Sequence, residues 1–293
     1  MKHHAGFASI IGNPNVGKST LMNQLVGEKL SIITSKAQTT RHRIQGIVSG
    51  EDFQIVYSDT PGILNPAYKM HEGMMQFVQN SLSDADVLLL VIEIGEQAIK
   101  DENIFERIKS LEVPIILVLN KIDLSNQEEV EEKVEYWQEI LPKAQIIPIS
   151  ALHGANVDAV LDCIKSNLPE SPEYFPKEEM TDKPMRFFMS EIIREKIFFH
   201  YKKEIPYSCE VEITEFEEAE DITRIRAEIY VERESQKGIL IGHKGLGLKR
   251  VGTEARKDME SFLDKKVFLK LYIKVSKDWR NKPNTLKRFG YLN

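Results

Sequence analysis

The sequence predicts an α/β chain in two parts: a larger domain on a mostly parallel sheet, then a smaller α+β domain. Three observations carry this. Short apolar runs alternate with helical patterns from residue 7 to residue 167, as in a sheet covered by helices on both faces. Four prolines (Pro169, Pro172, Pro176, Pro184) then interrupt the pattern. Beyond them the order becomes helix, two strands, two helices and a strand. The 293 residues suffice for about two domains. The boundaries read 1–168, a proline-stiffened linker 169–184, and 185–293.

In the first part, strands are expected near 7–11, 43–49, 53–58, 86–92, 114–119 and 145–149. Helices are expected near 19–26, 72–81, 100–110, 127–140 and 156–167. The unbroken apolar block Val87 to Ile92 reads as a strand buried on both faces. Gly50-Glu51-Asp52 should fold strand 43–49 back onto 53–58 as a hairpin, the one antiparallel pair. In the second part, helices are expected at 185–201, 236–241 and 246–263, with strands at 207–216, 223–234 and 267–275.

The loops carry the chemistry. Gly12-Asn13-Pro14-Asn15-Val16-Gly17-Lys18-Ser19 joins the first strand to the first helix and continues into Thr20. A glycine-bounded loop at a helix N-terminus turns backbone N–H groups and the helix dipole toward one anion. Lys18 adds a full positive charge, and the Ser19 hydroxyl can ligate Mg²⁺. The expected guest is a nucleoside triphosphate. Asn120-Lys121-Ile122-Asp123 follows another strand, at the end where such sheets bind ligands. The Asp123 carboxylate accepts only, and guanine offers N1–H and N2–H₂ side by side, which adenine lacks. Asn120 can tie neighbouring loops together and the Lys121 stem can lie over the base. Asp59-Thr60-Pro61-Gly62 follows the third strand: Asp59 suits the Mg²⁺ side through a water, and the Gly62 N–H a γ-phosphate. Between them a hydroxyl of the 35–41 segment can complete the Mg²⁺ shell. Thr40, next to Arg41, is favoured over Thr39. The N–H groups of Ser150-Ala151-Leu152 can meet guanine O6. Taken singly, all but the first of these are ordinary turns. In this order, each after an apolar run, they make a GTPase domain binding GTP, GDP and Mg²⁺.

Gly242-His243-Lys244-Gly245 lies between two helices, preceded by Ile239-Leu240-Ile241. G-x-x-G in this setting clamps a nucleotide backbone in KH domains. Lys237, Ile241, Lys249 and Arg250 join it as candidate RNA-binding residues. From Ser235 onward Lys and Arg outnumber Asp and Glu 15 to 5, although the whole chain carries a net charge of −6. The helix and strand order is that of a type II KH fold.

The phrases G-N-P-N-V-G-K-S-T, K-A-Q-T-T-R-H-R, D-T-P-G-I, N-K-I-D and S-A-L-H-G, with K-V-S-K-D-W-R-N-K-P near the end, resemble the Era family of translation-factor-class GTPases over nearly the whole chain. The resemblance implies a switch that hydrolyses GTP, binds the 3′ end of 16S rRNA and assists 30S subunit assembly. It also implies that Asn15 helps hold a K⁺ ion, because Ile63 stands where many GTPases keep a water-orienting glutamine. Otherwise Asn15 braces the loop, and Arg41 or a partner supplies the charge.

Two alternatives stay open: a GTP-dependent factor acting on tRNA or translation, and a non-catalytic RNA-binding scaffold. Trp279, with Arg280 and Lys282, is a candidate stacking platform, or else a core residue. Cys163 and Cys209 have neither metal nor redox spacing and read as buried thiols of a reducing cytosol. No signal peptide or membrane span is evident. The expected place is the cytoplasm, with loose contact at the inner membrane through the basic end as a lesser option. No DNA partner is expected, and the chain reads as a monomer.

Overall fold

Alternating strands and helices organise the first of two units in the structure, a computed structural model that describes residues 2–292. This unit runs to Asp182, apart from Tyr68–Met70, which group with the second unit beginning at Lys183. Its elements are β1 (His4–Ile11), α1 (Lys18–Val26), β2 (Ile44–Ser49), β3 (Phe53–Asp59), α2 (Lys69–Asp84), β4 (Val87–Glu93), α3 (Glu102–Lys109), β5 (Ile115–Asn120), α4 (Gln127–Ile140), β6 (Gln145–Ile149) and α5 (Val157–Asn167).

The sheet order is β2-β3-β1-β4-β5-β6, parallel except for the antiparallel β2/β3 pair. Residues Val87 to Ile92 of β4 are fully buried, as a strand covered on both faces must be. Two helices start where a side chain satisfies their first N–H groups. Asp101 accepts from the Ile104 N–H at 3.1 Å and Asn126 from the Glu129 N–H at 3.0 Å, capping α3 and α4. In α3, Ile104 and Ile108 face the core. Trp137 does the same for α4. The parallel strands thereby deliver all their carboxyl ends to one edge, where the motif loops lie.

Residues 169–182, read as a stiff linker, lie along this unit. Glu170 bridges to His4 and Thr181 to Gly46, and Gln54 bonds the backbone of Tyr174 and Phe175.

The second unit contains α6 (Met185–His200), α7 (Ile205–Ser208), β7 (Glu210–Glu218), β8 (Ile222–Val231), α8 (Glu234–Ile241), α9 (Leu246–Leu263), β9 (Lys266–Val275) and α10 (Pro283–Arg288). Its sheet is ordered β7-β8-β9, with β8/β9 parallel, and α6 and α9 pack on it and on each other. Two strand bounds are corrected here, and Trp279 takes the second of its two readings. The strand read from 207 starts at Glu210, because Pro206 seeds the short α7 before it. The strand read to 234 ends at Val231, because Gln236 Oε1 takes the Glu232 and Arg233 N–H groups at 2.9 and 3.0 Å to cap α8. Trp279 is no stacking platform. It is fully buried, its indole N–H donates to Ser208 O at 3.0 Å, and Phe289 meets it edge-on. Cys209 is buried as expected, but Cys163 is only partly so.

Candidate functional site: a phosphate cleft and a basic loop

A cleft of about 630 Å³ opens at the carboxyl ends of the strands of the first unit. Five loops line it: Pro14, Asn15, Gly17, Lys18, Ser19 and Thr20 from the first; Ile32 to Ser35 and Gln38 to Thr40 from the segment after α1; Thr60 and Gly62; and, at the far end, Asn120, Lys121 and Asp123 after β5 and Ala151 and Leu152 after β6. Gly12, Asn13, Val16, Asp59, Pro61, Ile63, Ile122 and Ser150 stand behind this lining or beside it.

The loop after β1 is locked from outside. Asn13 Nδ2 donates to Glu96 Oε1 and Ala98 O at 3.0 and 2.9 Å, and its Oδ1 accepts from the Lys100 N–H at 3.0 Å. Asn120 does what its motif predicts for an amide: Nδ2 donates to Val16 O at 2.7 Å and Oδ1 accepts from the Ala151 N–H at 2.9 Å. Gly17 sits at φ 98°, and a Cβ there would lie 2.2 Å from Asn120 Nδ2, so glycine is required on both counts. Gly62 lies against Pro14, and the next N–H, of Ile63, donates to Gly12 O at 3.1 Å. Ile63 itself is fully buried.

The Lys18 ammonium bends back onto Gly12 O and Asn13 O at 3.0 and 2.7 Å. Burial draws it down to about 8, against the opposing pull of Asp59 and Glu96. Beside it three oxygens converge. Ser19 Oγ lies 2.7 Å from Asp59 Oδ2 and 2.8 Å from Thr40 Oγ1. Thr39 Oγ1 bonds instead with Thr34 Oγ1 at 2.6 Å and Lys36 O at 2.7 Å. Asp59 is fully buried, and its Oδ1 accepts no side-chain hydrogen bond from the described residues. Burial raises its carboxyl, while the Ser19 hydroxyl, the Lys18 charge and the Ser31 hydroxyl act the other way. Two hydroxyls and a carboxylate form a hard oxygen donor set that fits Mg²⁺. Among the described residues no group of three or more His, Cys, Asp or Glu could hold a metal.

At the other end, Asp123 Oδ1 accepts from Ser150 Oγ at 2.5 Å, and His153 Nε2 is 3.9 Å from Oδ2. Lys121 is ion-paired with Glu93 at 2.7 Å. The Ser150 N–H donates to Ala155 O. With the Ala151 N–H on Asn120, two of the three donors expected for guanine O6 bond within the protein. Asn15, at φ 66°, donates from Nδ2 to Ser35 O at 3.3 Å.

In the second unit, Gly242, Lys244 and Gly245 have positive φ, and the loop carries His243 and Lys244 into solvent. Lys249 and Arg250 are exposed on the first turns of α9; Lys237 and Ile241 are half-exposed on α8. Sequence reasoning missed Gly247: a Cβ there would meet Tyr201 Oη at 2.7 Å and Leu240 O at 2.9 Å, so it lets α9 start close to α8. It also missed Asn23 and Ser31, which hold Asp59 from behind.

A family model described as 50S ribosome-binding GTPase matches residues 7–121, and one described as KH domain matches residues 204–280. A solved structure of Era with MgGDPNP and nucleotides 1506–1542 of 16S ribosomal RNA is 39% identical, with a TM-score of 0.95 over 99% of this chain and 100% of that one. A variant of Aquifex aeolicus Era bound to GDP·AlF₄⁻ is 40% identical, with a TM-score of 0.95 over 100% of both chains. A P-loop GTPase unit followed by a KH unit, alike along its whole length to these structures, belongs to the Era family of GTPases.

Proposed function

We propose that this chain hydrolyses GTP to GDP and phosphate, binds the 3′ end of 16S rRNA through its KH unit, and assists assembly of the 30S subunit. The observation that carries the reading is one cleft with a phosphate end at Lys18 and Ser19 and a guanine end at Asp123. The relatives solved with MgGDPNP, GDP·AlF₄⁻ and 16S rRNA support it.

The residues divide the work as follows. Backbone N–H groups from Asn13 to Thr20 receive the phosphates. Lys18 exchanges two loop carbonyls for phosphate oxygens, whose negative charge favours its protonated form. Ser19 and Thr40 would hold Mg²⁺, with Asp59 acting through Ser19 or a water; an ion bound there would neutralise charge on the phosphates. Thr40 takes this part, and Thr39 is committed elsewhere. Thr60, Pro61 and Gly62 bring an N–H to the γ-phosphate. Asp123 reads N1–H and N2–H₂ of guanine; Ile122 and Lys121 shape the turn that carries it, and Ala151 and Leu152 border the base. Ile63 cannot polarise water, so the chain leaves that part of the barrier to another group. Asn15 would hold K⁺ in that role: hydrolysis should run faster in K⁺ than in Na⁺, and Asn15→Ala should abolish the difference.

Residues 30–42 and 59–72 would order around the γ-phosphate and relax after hydrolysis, biasing RNA binding reciprocally. Residues 1–168 serve as the GTPase domain, 169–184 as the joint and 185–293 as the RNA-binding domain. Gly242 to Gly245, with Lys237, Ile241, Lys249 and Arg250, grip the RNA backbone. Among the described residues no helix is long and apolar enough to cross a membrane. Work on ribosomal RNA sets the site of action in the cytoplasm.

The test is a titration with GTP, ATP and a 16S 3′-end oligonucleotide. GTP turnover, preference for guanine over adenine, and tighter RNA binding with a GTP analogue than with GDP are the expected results. A preference for ATP, or RNA binding blind to Gly242→Asp with Gly245→Asp, overturns the proposal.

A further inference from the structure

Asp59 acts from behind Ser19, so whatever fixes Asp59 also fixes the hydroxyl that faces the metal. Two side chains donate to one oxygen of this carboxylate. Ser19 Oγ lies 2.7 Å from Oδ2, and Ser31 Oγ lies 2.8 Å from the same atom. Ser31 belongs to none of the nucleotide motifs. It stands at the head of the segment that follows α1, only 1% exposed, between the buried Leu30 and Ile32.

Its backbone is pinned on both sides by a single side chain of α1. Asn23 Oδ1 accepts the Leu30 and Ser31 N–H groups at 3.0 and 2.9 Å, and Asn23 Nδ2 donates to Ser31 O at 2.7 Å. The Ser31 hydroxyl is therefore carried by the helix and not by the loop beyond it, where Ile33 is exposed.

An ionised carboxylate only accepts, so Ser19 and Ser31 each give their single proton to Asp59 Oδ2. With that proton spent, Ser19 Oγ receives from Thr40 across 2.8 Å on one lone pair and keeps the other for the cleft. A cation needs that orientation. If the carboxylate turned, Ser19 would lose its acceptor and could point hydrogen at the ion. Oδ1 accepts no side-chain bond that would resist the turn, so beside Ser19 itself and the Thr60 N–H, Ser31 is the group that holds the carboxylate.

We infer that Ser31 is a positioning residue of the Mg²⁺ site: it holds Asp59 so that Ser19 offers oxygen to the ion, and Asn23 holds Ser31. This rests on the Mg²⁺–nucleotide reading above. The test is a Mg²⁺ titration of the release rate of a fluorescent GDP analogue from the full chain, with a parallel affinity measurement in excess EDTA. Ser31→Ala should raise the Mg²⁺ concentration needed for half-maximal retention by about tenfold, the usual cost of losing an outer partner of a metal ligand. Its EDTA affinity should match wild type, and Ser31→Thr, which keeps the hydroxyl, should titrate near wild type.

An alanine chain that titrates like wild type overturns the inference. So does one whose metal-free affinity falls by the same factor, or a threonine chain that behaves like alanine. If Ser31→Ala does not fold, Asn23→Ala carries the same titration, with a shift in its favour and no shift against. Wild-type release indifferent to Mg²⁺ overturns the metal reading itself, and this inference with it.

Discussion

Two glycine-bounded loops of this chain are suited to phosphates, and they are built in opposite ways. The loop of the first unit is locked from every side. Asn13 ties it to residues 96–100, Asn120 to the turn at Ala151, and Lys18 is 6% exposed. The loop of the second unit stands out from its helices, with His243, Lys244, Lys249 and Arg250 in solvent. The contrast shows what each task asks of the backbone. Cleaving a phosphate needs donors fixed in advance in a dry site. Holding a long polyanion needs charge within reach, and water and salt are tolerated.

The sharpest break in this contrast is Lys18→Ala. It should cut single-turnover GTP hydrolysis by about 10²–10³-fold, the scale for losing one preorganised charge donor, and leave RNA binding without nucleotide unchanged. Asp123→Asn comes next. An amide cannot accept two donors with one charge, so guanine affinity should fall by about 10²-fold in equilibrium titrations, and xanthine nucleotides, with an oxygen at C2, should gain. At the open loop and the helix it leads into, Lys244→Ala with Lys249→Ala should weaken RNA binding by roughly tenfold. The slope of log affinity against log salt should fall by about one for each lysine, with GTP turnover intact.

The smallest effect is in pH. Lys18 is held near 8 by burial, and a triphosphate beside it pushes it back up. Above about pH 8 a proton must therefore be taken up on binding. GTP affinity should fall by up to about tenfold per pH unit there and be flat below. The sign for stability is the reverse. The unfolded chain holds this proton up to its ordinary value of 10.5, so the depressed native value makes stability rise with pH between about 8 and 10.5. A GTP affinity that rises through pH 8 would place Lys18 outside the phosphate contacts.

Residues whose type is dictated by chemistry were legible in the sequence: the glycines that let backbone approach, Lys18, Asp123 and the two glycines of the second loop. So were the helices and strands with unbroken apolar periods. Legibility failed where a residue's task depends on what the fold brings alongside. Ser31 is an ordinary serine until Asp59, 28 residues later, lies against it. Trp279 offered two readings, and only the packing of Phe289 and Ser208 around it decided between them. The prolines of 169–184 announced stiffness, but not that Gln54 would bond the backbone there.

One pairing along that segment reaches further. Strand β2, which starts directly after the 30–42 segment, is the outer strand of its sheet, and residues 180–182 are laced to it. Met180 O accepts from the Ile47 N–H at 2.9 Å, Thr181 bridges Gly46, and Asp182 Oδ1 accepts from the Gln45 N–H at 2.9 Å. The lacing shields an otherwise sticky rim from stray chains. It also makes β2 and the exit of the polypeptide from its first half one mechanical piece, so a tug on either must pull the other or snap the hydrogen bonds that join them.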